Sequence, residues 1–184
     1  MTDPSPVRTS KCLALLLRHD PGQFGVVLDS EGWADVDAVI SGLVGAGFRV
    51  DAAVLARIVE EDEKGRYAFS PDGSRIRASQ GHSIGVDLGL RPREPPATLY
   101  HGTVGRFLAA IRREGLLPRA RHHVHLSATQ SAAEEVGRRR GRPVVLEIDA
   151  ARMHHDGHTF FLSENGVWLV ACVSSEYLRV LDMR

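Results

Sequence analysis

The chain has no apolar run approaching membrane-spanning length, and it has only two cysteines and few aromatics in 184 residues. The first lack argues against a spanning helix. Met1 to Ser10 is polar and carries two prolines, so no secretory leader is expected and a cytoplasmic location is the expectation. Cys12 and Cys172 lie in apolar segments and read as buried thiols of a reducing compartment, not as a disulfide framework or a zinc site. Also missing are a P-loop, G-x-G-x-x-G, G-x-S-x-G and His-Glu-x-x-His, and no paired-carboxylate site stands out. The commonest nucleotide, hydrolase and zinc-protease signatures are thereby set aside.

Net charge is zero, but it is unevenly laid out. Residues 1–97 hold 11 basic against 14 acidic side chains, and residues 98–184 hold 12 against 9. Only Lys11 and Lys64 are lysine, so almost every cation is arginine, whose planar fork suits phosphate. A biased genome composition would give the same excess.

Periodicity orders the first half. Leu13, Leu16 and Leu17 sit at helical spacing and commit one face to a core, while Asp20-Pro21 stops the helix near His19. Arg18 and His19 therefore end a rigid helix, where they either complement its dipole or face a ligand. Gly25 to Asp29, with Val26, Val27 and Leu28, reads as a short strand. Asp35 caps a helix carrying Val36, Val39, Ile40 and Leu43 inward, and Asp51 caps a third with Val54, Leu55, Ile58 and Val59. The acidic run Glu60 to Glu63 reads as a solvated face. Tyr67 to Ser70 and Arg75 to Ser79 flank Pro71-Asp72-Gly73 as a hairpin. Three helices and then a hairpin is the order of a winged helix, although the negative balance of this half argues against nonspecific duplex binding.

Pro92, Pro95 and Pro96 make Gly89 to Ala97 a stiff linker. The expected division is a lobe over 1–90, a linker over 91–97 and a second lobe over 98–184. Thr98 to Thr103 reads as a strand ending in a turn, Phe107, Leu108 and Ile111 as a helix stopped by Gly115, and His123 to Ser127 as a half-buried strand. Thr129 to Arg140 is helical, Pro143 to Asp149 is a strand, and Phe160 to Leu162 and Val167 to Val173 supply further strands. Many short strands with few helices predict a compact mixed sheet with a cleft. No repeat or low-complexity tract interrupts it.

Nine histidines raise a metal reading, above all His122-His123-Val124-His125 and His154-His155-Asp156-Gly157-His158. A catalytic zinc needs three fixed ligands with supporting partners, and no ligand spacing here provides them. His154, His155 and His158 read as loop residues. His101-Gly102-Thr103 offers a strand-end imidazole, a glycine that lets backbone approach a ligand, and a hydroxyl. Gly137-Arg138-Arg139-Arg140-Gly141-Arg142 is either a solvated helix end or a phosphate anchor.

In order and wording these pieces resemble one family. Ser10-Lys11, Leu16-Leu17-Arg18-His19, Asp62-Glu63-Lys64-Gly65-Arg66-Tyr67 and Ile76-Arg77-Ala78-Ser79-Gln80-Gly81-His82-Ser83 resemble the first lobe of the NAD-dependent RNA 2′-phosphotransferases. Leu99-Tyr100-His101-Gly102-Thr103, His123-Val124-His125-Leu126-Ser127, Val136-Gly137-Arg138-Arg139-Arg140-Gly141 and Ser163-Glu164-Asn165-Gly166-Val167-Trp168-Leu169 resemble the second. The likeness runs from about residue 10 to 178. Glu63 stands where the family usually has Asp, and Tyr67 where Phe is common.

The resemblance implies an α+β chain: an RNA-binding winged-helix lobe followed by a mixed-sheet lobe of ADP-ribosyltransferase type. It implies removal of an internal RNA 2′-phosphate of the kind left in tRNA splicing, with NAD consumed as co-substrate and no metal. The phosphate displaces nicotinamide to give RNA-2′-phospho-ADP-ribose. The ribose 2″-hydroxyl then attacks phosphorus, releasing repaired RNA and ADP-ribose 1″,2″-cyclic phosphate. By resemblance Arg18, Arg66 and Arg139 surround the phosphate, and His19 binds it or protonates the leaving 2′-oxygen. His101, Gly102, Thr103, His125 and Ser127 hold NAD. The partners implied are a tRNA-like RNA and NAD, with no membrane and a monomeric chain. Two other readings stand beside this one: an ADP-ribosyltransferase capping phosphorylated RNA or DNA ends, and a noncatalytic RNA-binding module.

Overall fold

The computed structural model describes residues 6–181. The chain divides into two compact units, the first ending at Gly89 and the second beginning at Leu90.

In the first unit, α1 (Pro6–Arg18) buries Leu13, Leu16 and Leu17 completely. Full burial of such a side chain contributes about 1.5–3 kcal/mol, so this stripe anchors the core. His19 and Asp20 both donate their backbone N–H to the Leu15 carbonyl, which ends the helix one turn before Pro21. Val26 to Leu28 does not form the expected strand. Among the described residues no partner strand runs beside it, Val26 turns inward, and Val27 is 84% exposed. Next come β1 (Ala34–Asp35), α2 (Val36–Gly45) and α3 (Ala52–Glu60). The Asp35 carboxylate accepts from the Ala38 N–H at 2.9 Å and that of Asp51 from Val54 at 2.8 Å, so both caps form as the residue types dictate.

Strands β2 (Tyr67–Phe69) and β3 (Arg75–Ala78) pair antiparallel, and β1 joins on the far side to give the order β1-β3-β2. The intervening turn is locked by Asp72, which accepts from the hydroxyls of Ser70 and Ser74. Those bonds, with the Ser74 N–H, hold its carboxyl at about 2.

The second unit opens with β4 (Thr98–Val104) and α4 (Leu108–Glu114), capped at Gly115. It continues through β5 (Val124–Leu126), α5 (Gln130–Arg138), β6 (Pro143–Asp149), α6 (Ala150–His155), β7 (Phe160–Leu162), β8 (Trp168–Val170) and β9 (Leu178–Leu181). One sheet runs β4-β6-β9 and the other β5-β8-β7, both antiparallel throughout. Their apolar faces share a core that includes Leu99, Leu126, Ile148, Phe160 and Trp168. Mutual backbone bonds between Tyr100 and Ser127, at 2.9 and 2.8 Å, join β4 to the end of β5.

Four expectations change here. β4 runs on to Val104, so His101 to Thr103 lies within the strand, held extended by its antiparallel pairing with β6 from Thr98 to Val104. β8 stops at Val170. His154 and His155 stand on the last turn of α6, which Asp149 caps at Arg152, not in a loop. The cysteines are free but half-buried.

Candidate active site

On the first unit, Arg18 ends α1 and Arg66 opens the hairpin. The Arg18 Nη2 donates to the Arg66 carbonyl at 3.3 Å, and its guanidinium lies 5.9 Å from the centre of the Tyr67 ring. Tyr67 is buried and donates its hydroxyl to the Ser10 carbonyl at 2.8 Å. Burial raises its pKa, partly offset by the Ser10 hydroxyl 3.4 Å from the phenol oxygen and by the two guanidiniums, so it stays neutral. Arg18 and Arg66 both line a cavity of ≈ 380 Å³ with Ser10, Lys11, Asp62 and Tyr67. Two cations from distant segments thus face one concave space, the arrangement that binds a phosphoryl group.

Asp62 corrects the reading of the acidic run. Its carboxylate is 5% exposed, accepts the Arg66 backbone N–H and pairs with the Arg66 Nη1. Lack of periodicity around residues 60–63 hid this, because the bond closes a local turn that no spacing rule describes. Behind it, Ser79 donates its hydroxyl to the Gly65 carbonyl at 2.7 Å and its N–H to the Arg66 carbonyl at 2.9 Å.

His19 is exposed, with Nδ1 and the Ser83 hydroxyl 2.9 Å apart. Ser83 also donates its N–H to the Arg18 carbonyl at 3.0 Å, so one residue orients the ring and terminates the helix. Sequence reading did not single out Ser83; its place in the Gln80-Gly81-His82-Ser83 motif was the available signal.

On the second unit β4 meets β5 at His101 and His125, with Ser127 bonded to Tyr100, while Gly102 and Thr103 lie against α5. The His101 Nδ1 lies 3.0 Å from the His125 carbonyl. A carbonyl can only accept, so the proton sits on Nδ1 and Nε2 is left as the acceptor. Arg121 donates its Nη1 to the His125 Nδ1 at 2.8 Å, which assigns the opposite tautomer to that ring. Burial lowers the His101 pKa, the bond to His125 raises it in part, and the charges of Arg140 and Arg121 lower it further. His101 is therefore a neutral imidazole at physiological pH.

Gly102 has a packing task. A Cβ built there would stand 1.7 Å from the Ala133 carbonyl oxygen of α5, and one at Gly137 would stand 2.8 Å from the Thr103 carbonyl oxygen. Only bare backbone on both sides allows α5 to lie on β4. Thr103 is buried beneath this contact.

Arg139 belongs to the second unit, at the C-terminal cap of α5, where Nη2 donates to Glu135 at 3.2 Å. Its neighbour Arg138 pairs with Glu134. Among the described residues no three His, Cys, Asp or Glu side chains are grouped to hold a metal ion, and no helix is long and apolar enough to cross a membrane.

Residues 4–172 match the family described as "RNA 2'-phosphotransferase, Tpt1 / KptA family". A protein of Pseudomonas aeruginosa (strain UCBPP-PA14) named "Probable RNA 2'-phosphotransferase" is 54% identical, the match covering 93% of this chain and 94% of that one. Proteins of the same name from Rhodopirellula baltica and Streptomyces coelicolor are 52% and 51% identical; the first match covers 96% of both chains, the second 97%.

Proposed function

The chain belongs to the RNA 2'-phosphotransferase family, and on that premise we propose that it removes an internal 2′-phosphate from RNA by passing it to NAD, consumed as co-substrate. The observation that carries this reading is the convergence of Arg18 and Arg66 on one cavity, with Arg18 bonded to the Arg66 backbone. In the proposed reaction the RNA phosphate bonds to the nicotinamide ribose carbon as nicotinamide leaves. The ribose 2″-hydroxyl then displaces the RNA 2′-oxygen from phosphorus, and that oxygen takes a proton.

The residues fit these demands. Guanidiniums at Arg18 and Arg66, which face one cavity, stabilise charge on the phosphoryl oxygens; the family resemblance adds Arg139 to that role. His19, its ring oriented by Ser83, binds the phosphate or supplies the proton to the leaving oxygen. The neutral acceptor Nε2 of His101 suits a ribose hydroxyl, and His125 and Ser127 border the same place. The element order of the first unit supports a winged-helix lobe that receives RNA, and the two antiparallel sheets of the second support an ADP-ribosyltransferase-like lobe that receives NAD.

Incubation with 2′-phosphorylated RNA and NAD, followed by mass spectrometry, tests the proposal. It requires nicotinamide and ADP-ribose cyclic phosphate together. Nicotinamide release with ADP-ribose left on the RNA points to end capping, and RNA binding without either product points to a binding module.

A further inference from the structure

Helix α1 presents two stripes. Leu13, Leu16 and Leu17 face the core, while Val7, Lys11, Ala14 and Arg18, spaced four, three and four residues apart, line the ≈ 380 Å³ cavity. Lys11 and Arg18 are seven residues apart, two turns and about 10.5 Å along the axis, so they share one direction. Arg18 and Arg66 occupy one end of the lining; Lys11 and Ser10 bring cationic and polar groups further along it. Ala14, Ile58 and the Tyr67 ring supply apolar wall between them. Of the two carboxylates in the lining, Asp62 is committed to Arg66 and Glu61 is exposed on the C-cap of α3.

We propose that this stripe is a second anion subsite, in which Lys11 holds the backbone phosphodiester next to the 2′-phosphate of the same RNA. The inference rests on the reading that Arg18 and Arg66 take the 2′-phosphate. An internal 2′-phosphate always has a phosphodiester on the neighbouring 3′-oxygen, so such a substrate brings two anions to the site at a fixed spacing. A lysine on a long flexible stem follows a backbone phosphate without demanding one orientation. The cavity volume lies in the range of small-ligand pockets, roughly 300–1,000 Å³. Lys11 thereby makes the site select internal over terminal phosphate.

The test is a double-mutant cycle on equilibrium RNA binding by the full chain. RNA with an internal 2′-phosphate is compared with the same RNA bearing an uncharged methylphosphonate at the adjacent 3′-linkage. The unmodified protein should lose on the order of tenfold in affinity on losing that charge. Lys11→Gln should lose as much with the ordinary RNA and almost nothing more with the methylphosphonate, whereas Lys11→Arg should restore the difference. The log–log slope of affinity against salt should fall by about 0.7 in Lys11→Gln. Losses that multiply would overturn the subsite, as would affinity unchanged in Lys11→Gln. Turnover is scored separately: a coupled cycle without 2′-phosphate removal supports the subsite and counts against the proposed reaction.

Discussion

Asp62 grips Arg66 at two points, accepting the backbone N–H and pairing with the guanidinium through one nearly buried carboxylate. The grip removes rotamer freedom before substrate arrives. A cation fixed in advance stabilises developing charge better than one that must be ordered during the reaction. Asp62→Ala is expected to cost about 1–3 kcal/mol of stability by leaving the amide unsatisfied. It should also lower turnover under conditions where the variant remains folded. Asp62→Asn retains an acceptor oxygen and should fall between. Thermal unfolding beside single-turnover rates measures both, and wild-type turnover in folded Asp62→Ala would show that the grip is only structural.

Substitution of Arg139 tests whether the two proposed displacements can be separated. Losing one donor to a developing oxyanion typically costs about 3–4 kcal/mol. That loss should fall harder on transesterification, which expels an unactivated alkoxide, than on nicotinamide departure. Arg139→Ala, and likewise Arg66→Ala, is expected to accumulate RNA-2′-phospho-ADP-ribose in assays with labelled RNA. Arg138→Ala should not, since the family resemblance assigns the phosphate to Arg139; both side chains pair with a glutamate four residues back, so ion pairing does not separate them. The opposite result would shift the phosphate ligand by one residue.

His101 gives a pH dependence of known sign. Its folded pKa is lowered from the ordinary 6.5. Between 6.5 and the lower value the unfolded chain binds more protons than the folded one, so stability rises with pH there. The contribution is whole above 6.5 and is lost as pH falls through the folded value. Urea unfolding should show a shallower acid-side decline in His101→Gln than in the unmodified chain; parallel declines would remove His101 as a source. Separately, His101→Ala should weaken use of NAD and leave RNA affinity nearly intact.

Exhaustive chelation is expected to leave turnover unchanged, because neither displacement is assigned an ion. Activity lost on chelation and restored by zinc would redirect attention to the histidine clusters.

Gly102→Ala is expected to destabilise the second unit whether or not NAD is present, since its methyl would overlap the Ala133 carbonyl. Differential scanning calorimetry without any ligand checks this, and an unchanged transition would mean that α5 can lift from β4 cheaply.

What local chemistry decides could be read from the sequence: the buried leucines of α1, the aspartate caps of α2 and α3, the hairpin around Asp72, the alternation of β5. What depends on distant partners could not. Val26 to Leu28 has strand composition but no neighbour to pair with, whereas Ala34–Asp35, with almost no strand signal, pairs because β3 passes beside it. β9 is likewise defined by β6. The site divided in the same way. Arg18, His19, Arg66, His101 and His125 carried recognisable wording; Asp62 and Ser83 stood inside that wording, but their part depends on contacts that only folding creates.

The contact at Gly102 and Gly137 also limits motion. Two elements joined through interlocking side chains can slide by exchanging rotamers, but a helix seated backbone-to-backbone on a strand has no such bearing. α5 and β4 must then travel together, and the cap that carries Arg139 moves with the strand that carries His101. Any opening or closing of this unit falls to its loops. Relaxation-dispersion spectra of the backbone amides should accordingly show one shared exchange rate across residues 98–104 and 130–138, or none.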